Sequence, residues 1–157
     1  QWGNNNAFDQ DNELSWLDWG NLERHADVLR FTQTLLRFRR HSRLFHDRSF
    51  WITPGGTEIH WHGLALGWPD WGAESRVLAF ELSNAAAAEH LHVMINAYWQ
   101  PLNFELPSLT TGRTWHRLVD TALDSPYDIS EPPFGPLLGA HHYRVQPRSV
   151  VVLIAAE

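Results

Sequence analysis

The sequence contains no cysteine and no lysine. The first absence excludes thiolate nucleophiles, disulfide frameworks and thiolate metal sites. The second excludes Schiff-base chemistry and lysine general bases, since all twelve basic residues are arginine. Long hydrophobic runs are missing too. The longest, Val150-Val151-Val152-Leu153-Ile154-Ala155-Ala156, has the length of a strand and falls far short of a membrane span. The amino terminus lacks the charged, apolar and cleavage regions of a secretory signal. A chain without cysteine is compatible with a reducing compartment, and we expect the cytoplasm. Positive charge is scarce: the net charge is -6, and no clustered basic face is large enough to suggest a nucleic-acid partner. There is no Gly-x-Ser-x-Gly elbow, no phosphate-cradling glycine loop and no dinucleotide fingerprint.

Aromatic residues, in contrast, are abundant. Nine Trp and eight Phe stand in 157 residues, of which 43% are hydrophobic and 19% charged. That balance is globular, and the length suits one domain with at most a short appendage. Most of these rings are expected in a core. An exposed pair among Trp61, Trp68, Trp71 and Trp99 would form a platform for sugar rings.

The first thirteen residues are the most polar stretch. Asn4, Asn5, Asn6, Asp9, Gln10, Asp11, Asn12 and Glu13 offer many hydrogen-bonding groups and no apolar period. Such a loop suits a hydroxyl-rich ligand, yet a site loop needs a scaffold on both sides. The expectation is therefore that the sequence opens inside a larger protein. Asp9, Asp11, Glu13 and Asp18 do not make a credible glycosidase pair. Such carboxylates face each other across the scissile bond from separate rigid elements. A calcium loop starting at Asp9 fails as well, with Leu14 where Gly is needed and Gly20 where Glu is needed.

From Leu22 to Arg40 the period is helical. Leu22, Ala26, Leu29 and Leu36 form one stripe; Val28, Phe31, Leu35 and Phe38 form another beside it. So wide a face predicts burial against more than one neighbour. Asp18 or Asn21 can cap the start, and Arg37, Arg39, Arg40 and Arg43 complement the dipole at the end.

Beyond His46 the period becomes alternating. Strands are expected at Glu58–His62, Arg76–Ser83, Leu91–Ala97, Leu102–Leu106, Thr114–Thr121, His142–Gln146 and Ser149–Ala155, with turn residues between them. About seven short strands without intervening helices predict an antiparallel β-sandwich. The last strand is apolar on both faces and should lie in the middle, covered on each side. Ser125 to Pro136 reads as an irregular, Pro-rich surface loop. Histidines fall in pairs, His60 with His62, His90 with His92, and His141 with His142. Residues i and i+2 share a strand face, so two pairs could meet around a metal. Cross-strand or solvent-facing histidine is the ordinary state, and no metal or other cofactor is assigned.

The opening Gln1-Trp2-Gly3-Asn4-Asn5-Asn6-Ala7-Phe8-Asp9-Gln10-Asp11-Asn12-Glu13, followed by Leu14-Ser15-Trp16-Leu17-Asp18-Trp19, resembles a signature of isoamylase-type bacterial glycogen debranching enzymes. These belong to the α-amylase superfamily. The similarity continues through the Arg-rich helix, His62-Gly63, Trp71 with Ser75-Arg76, Asn96-Ala97 and the closing Arg148 to Leu153. Asp9 departs from the pattern, standing where members usually carry Cys.

The resemblance implies that residues 1–45 end a catalytic (β/α)8 barrel, as the loop after its eighth strand plus the closing helix. Residues 46–157 would form the C-terminal β-sandwich. Asn4, Asn5, Asn6, Asp11 and Asn12 would then border the substrate groove. The family's catalytic carboxylates match no position here, so the segment alone is expected to be inactive. The implied partners are α-glucan (glycogen or limit dextrin) bound through the parent enzyme, and the barrel itself. Self-association through the helix face is a further expectation; a membrane partner is not. The alternative is a non-catalytic carbohydrate-binding sandwich.

Overall fold

A computed structural model describes residues 8–46, 56–110, 112–132, 137–138 and 141–156. A short helix α1 (Asn21–Arg24) runs into α2 (Ala26–His41), and a 3-10 turn follows at Arg43–Phe45. Among the described residues eight strands come next: β1 (Glu58–His62), β2 (Val77–Asn84), β3 (Glu89–Asn96), β4 (Leu102–Glu105), β5 (Thr114–Asp120), β6 (Leu137–Leu138), β7 (His142–Val145) and β8 (Ser149–Ala156). They form a six-stranded antiparallel sheet in the order β1-β2-β3-β8-β5-β6, and a two-stranded ribbon of β4 and β7.

The fold is mainly antiparallel β, as the alternating pattern predicts, and all seven expected strands are present within a residue or two. The eighth, β6, spans two residues paired to Trp115 and His116, too short to register as an alternation. The β8 strand lies between β3 and β5, as its doubly apolar sequence requires. Its Val151, Leu153 and Ala155 pack with Phe104, Leu106 and Val145 under the ribbon. Its Val152 and Ile154 point the other way, toward Leu44, Phe31 and Phe38. Ribbon and helix thus lie on opposite faces of the large sheet.

Two corrections concern irregular points. The single helix expected from Leu22 to Arg40 is interrupted at His25 (φ -122°, ψ 40°), with no Gly or Pro to account for the break. No side chain caps α1; Asp18 instead accepts from the Gly20 amide at 2.9 Å, one position outside the helix. The Pro-rich loop is not wholly on the surface either. Ile129 is buried and bridges to Val119, beside a register shift between Arg117 and Val119. The shift allows adjacent Leu118 and Val119 to enter the same cluster, which strict alternation forbids.

The helix folds back on the sheet. Phe31, Phe38 and Phe45 rest on the cluster around Leu82, Leu91 and Leu118. Arg30 pairs with Asp128, and Arg37 meets Glu131 at 2.8 Å. Glu89 of β3 fastens the helix end, taking the Ser42 hydroxyl at 2.5 Å and the Arg43 amide at 3.0 Å. Only part of the wide apolar face is used. Leu22, Val28, Leu29, Leu35 and Leu36 remain 38–57% exposed.

Candidate functional site

The polar loop is the first place to look. Asn4, Asn5 and Asn6 lie outside the described residues. Asp11 and Asn12 are exposed and organise the loop locally. Asp11 accepts the Trp16 indole N–H at 2.8 Å. Asn12 receives the Leu14 amide on its side chain at 3.0 Å and donates to Gln10 at 2.8 Å. This Asx turn, with Ser15 Oγ donating to the Gln10 carbonyl at 2.7 Å, holds the loop without a neighbouring element.

A cleft of about 430 Å³ lies just beyond, lined by Glu13, Ser15, Trp16, Leu17, Asp18, Asn21 and Arg24. Neither Asp11 nor Asn12 lines it. Glu13 and Asp18 do, and their spacing around exposed Trp16 was the available signal for them. The cleft offers carboxylates, a guanidinium and an indole face, a set suited to hydroxyl groups and a ring. Trp16 is 60% and Trp19 69% exposed, so the aromatic rim is continuous with the free helix face.

A second aromatic area lies on the sandwich. Trp61 meets Trp71 edge-on at 5.5 Å and Phe80 at 5.4 Å; Tyr98 and Trp99 lie 4.0 Å apart, with Arg76 over Trp99. Trp68, Trp71 and Trp99 are well exposed.

The third cluster is buried. On the ribbon-facing side of the sheet, Glu81 is bonded by His62 Nε2 at 2.7 Å and His90 Nε2 at 2.6 Å. Burial raises the carboxyl pKa, but the hydrogen bonds and charge of the two imidazoles outweigh it and hold it below the usual value. His92, directly opposite Glu81 in the ladder, is fully buried. Burial pushes its imidazole down to about 4, so the ring is neutral at neutral pH. Of the paired histidines, then, His62, His90 and His92 converge around Glu81, a residue that spacing alone did not single out. His60, His141 and His142 stay exposed and outside this cluster.

Two short motifs acquire physical reasons here. A Cβ on Gly63 would lie 2.3 Å from the Trp68 carbonyl oxygen, so a side chain cannot stand there. Asn96 is buried and donates to the carbonyls of Gln100, Val145 and Gln146 at 2.9, 3.2 and 3.0 Å. Its own oxygen takes the Tyr98 amide at 3.0 Å.

These features define the class: an antiparallel β-domain with a helix on one face. Residues 60–153 match the family described as isoamylase 1-3, C-terminal. The chain belongs to that isoamylase family. Isoamylase 1, chloroplastic, of Oryza sativa subsp. japonica is 33% identical over 127 residues, covering 81% of this chain and 15% of that protein. An isoamylase of Flavobacterium sp is 28% identical over 180 residues, covering 99% of this chain and 22% of that protein. A glycogen operon protein GlgX homolog of Mycobacterium tuberculosis is 27% identical over 149 residues, covering 77% and 20%. The chain thus spans 15–22% of these relatives' lengths.

Proposed function

We propose that this chain completes a debranching glycoside hydrolase that cleaves α-1,6-glucosidic linkages in glycogen or limit dextrin. In this reading residues 1–45 contribute the last loop and closing helix of a (β/α)8 barrel, and residues 46–157 brace it as the C-terminal sandwich. The carboxylate nucleophile and the general acid of a retaining double displacement reside elsewhere in the parent enzyme. The segment itself serves the substrate groove through Asn4, Asn5, Asn6, Asp11 and Asn12, joined by Glu13 and Asp18 at the cleft.

The observation that carries this reading is the free apolar face running from Trp16 and Trp19 through Leu22, Val28, Leu29 and Leu36. The sandwich side of α2 is already occupied, and the face left over adjoins the polar loop. A barrel at this position would cover it; so would a second copy, the self-associating alternative. The relatives named as isoamylases support the reaction class, and their greater length supports a catalytic part beyond these residues. The cytoplasm is the proposed compartment, consistent with a chain that has no disulfide to form. Among the described residues no helix is long and apolar enough to cross a membrane.

The test is complementation. The chain alone should release no linear oligosaccharide from limit dextrin; joined to the preceding catalytic portion of a related isoamylase, it should restore debranching. Hydrolysis by the chain alone, or a joined enzyme no more active than the catalytic portion, would overturn the proposal. Light scattering separates the second-copy reading: a strict monomer excludes it.

The exposed Trp61–Trp71 pair, with Trp68 and Trp99, supports a second reading as a non-catalytic carbohydrate-binding module. Retardation of the chain in glycogen-containing gels, lost in Trp71→Ala and Trp99→Ala, is the expected result; unretarded migration of the folded chain removes it.

A further inference from the structure

We propose that His62, Glu81 and His92 form a binding site for a divalent transition-metal ion of the zinc class. Their ligand atoms lie within 4.8 Å of one another, with His62 Nε2 and Glu81 Oε1 at 2.7 Å. A tetrahedral ion with arms of about 2.1 Å needs ligand separations of about 3.4 Å, between these limits. Rotamer-scale movements would close the site.

The independent observation is His92. The residue is fully buried, yet neither ring nitrogen hydrogen-bonds to any described residue. Buried polar atoms are ordinarily paired, and an unpaired one calls for an explanation. Here the ring sits opposite a carboxylate and 5.8 Å, centroid to centroid, from the His62 ring. Two imidazoles and one carboxylate, with no thiolate, suit zinc or cobalt rather than calcium or magnesium, which prefer all-oxygen sets. Glu81 supplies one negative charge to a buried cation, and His90 holds its other oxygen as an orienting outer partner at 2.6 Å. Trp115 packs against both His90 and His92 and fixes their rings. The side chains of His62 and Glu81 are 9% and 14% exposed, which leaves an entry at the β1 edge.

Two hydrogen bonds must give way: the one from His62 Nε2 to Glu81, which the ion replaces, and one at Nδ1. The Gly67 amide donates to His62 Nδ1 at 2.7 Å, so the neutral ring carries its proton on Nε2. Binding metal at Nε2 moves that proton to Nδ1 and breaks the Gly67 contact. Gly67 has φ +74° and open space on the side where a Cβ would stand. The bound ion would clamp β1, β2 and β3 together on the ribbon-facing side, where β1 is the edge strand paired to β2.

The experiment is titration of the tag-free 157-residue chain with Zn2+ by calorimetry and with Co2+ by visible absorption, alongside amide spectra. Expected are one ion per chain, tetrahedral Co2+ bands, a raised unfolding temperature and a displaced Gly67 amide resonance. His92→Leu and Glu81→Gln should each weaken binding by about 100-fold or more, while His60→Gln, at an exposed neighbour, leaves it unchanged. If His92→Leu does not fold, His90→Gln takes its place and should weaken binding by about 10-fold. No binding at millimolar zinc, binding equal in Glu81→Gln, an unmoved Gly67 amide, or loss of binding in His60→Gln (adventitious surface binding only) would overturn the site.

Discussion

Replacing Asn96 by aspartate should harm the fold more than replacing it by alanine. Asn96 is 1% exposed, and its amide nitrogen serves three carbonyls from two separate segments, residue 100 and the end of β7 at 145–146. Alanine removes these bonds together with the one from the Tyr98 amide. At about 1 kcal/mol net for each of its main bonds, plus part of the desolvation cost of the orphaned carbonyls, the loss is about 3 kcal/mol. Aspartate has the same size but offers only oxygens, so a carboxylate would face three carbonyl oxygens in a dry site. That arrangement adds about 2 kcal/mol, and the carboxyl pKa should rise in the folded state. A folded pKa above the unfolded one means stability is greatest at low pH and is lost as pH rises. The Asn96→Asp protein should therefore recover toward Asn96→Ala as pH falls from about 7.5 to about 5, because the protonated acid donates again. Urea denaturation followed by tryptophan fluorescence measures both differences against a typical domain stability of about 5–15 kcal/mol. An aspartate variant as stable as the alanine variant at neutral pH, or one whose deficit does not shrink in acid, would refute the reasoning.

Gly63→Ala should cost about 2–3 kcal/mol in the same assay, since a Cβ 2.3 Å from the Trp68 carbonyl forces the turn apart; a cost below about 0.5 kcal/mol would show the turn to be pliant. Leu44→Ala should cost about 3 kcal/mol because Leu44 is fully buried between helix and sheet, whereas Leu36→Ala, at a position 54% exposed, should cost under about 1 kcal/mol. Equal costs would mean that the helix does not rest on the sheet as described. Tyr143 is held up to about 12 by burial first and then by its 2.8 Å bond to Asp120 and that group's charge. Its folded pKa exceeds the unfolded value, so its contribution is present below about pH 10 and is lost as pH rises toward 12. Alkaline unfolding should therefore be shallower in Tyr143→Phe than in wild type, and identical profiles would contradict this.

Where the side-chain period is local, the sequence was legible. The seven strands, the central place of β8 and the helical stretch before them follow from alternation and turn residues, since each strand must present apolar groups to a covered face. The breaks were not legible. Nothing at His25 marks the interruption of the helix, and the shift between Arg117 and Val119 leaves no trace in residue types, because both depend on how neighbouring elements meet. The candidate site divides in the same way. Asp11 and Asn12 were visible as polar loop residues, but the cleft beside them is lined by Glu13 and Asp18, chosen by the path of the chain.

By itself, then, the sequence determined the excluded chemistries, the β-rich class and the family resemblance carried by its opening motif. These rest on residue identity and short-range order, which survive without coordinates. Tertiary structure decided which half of the helix face is covered and which stays exposed. It also decided that Glu81, rather than a second histidine pair, stands between His62 and His92. Contacts between residues distant in sequence depend on strand order, and strand order is set by packing the whole domain at once.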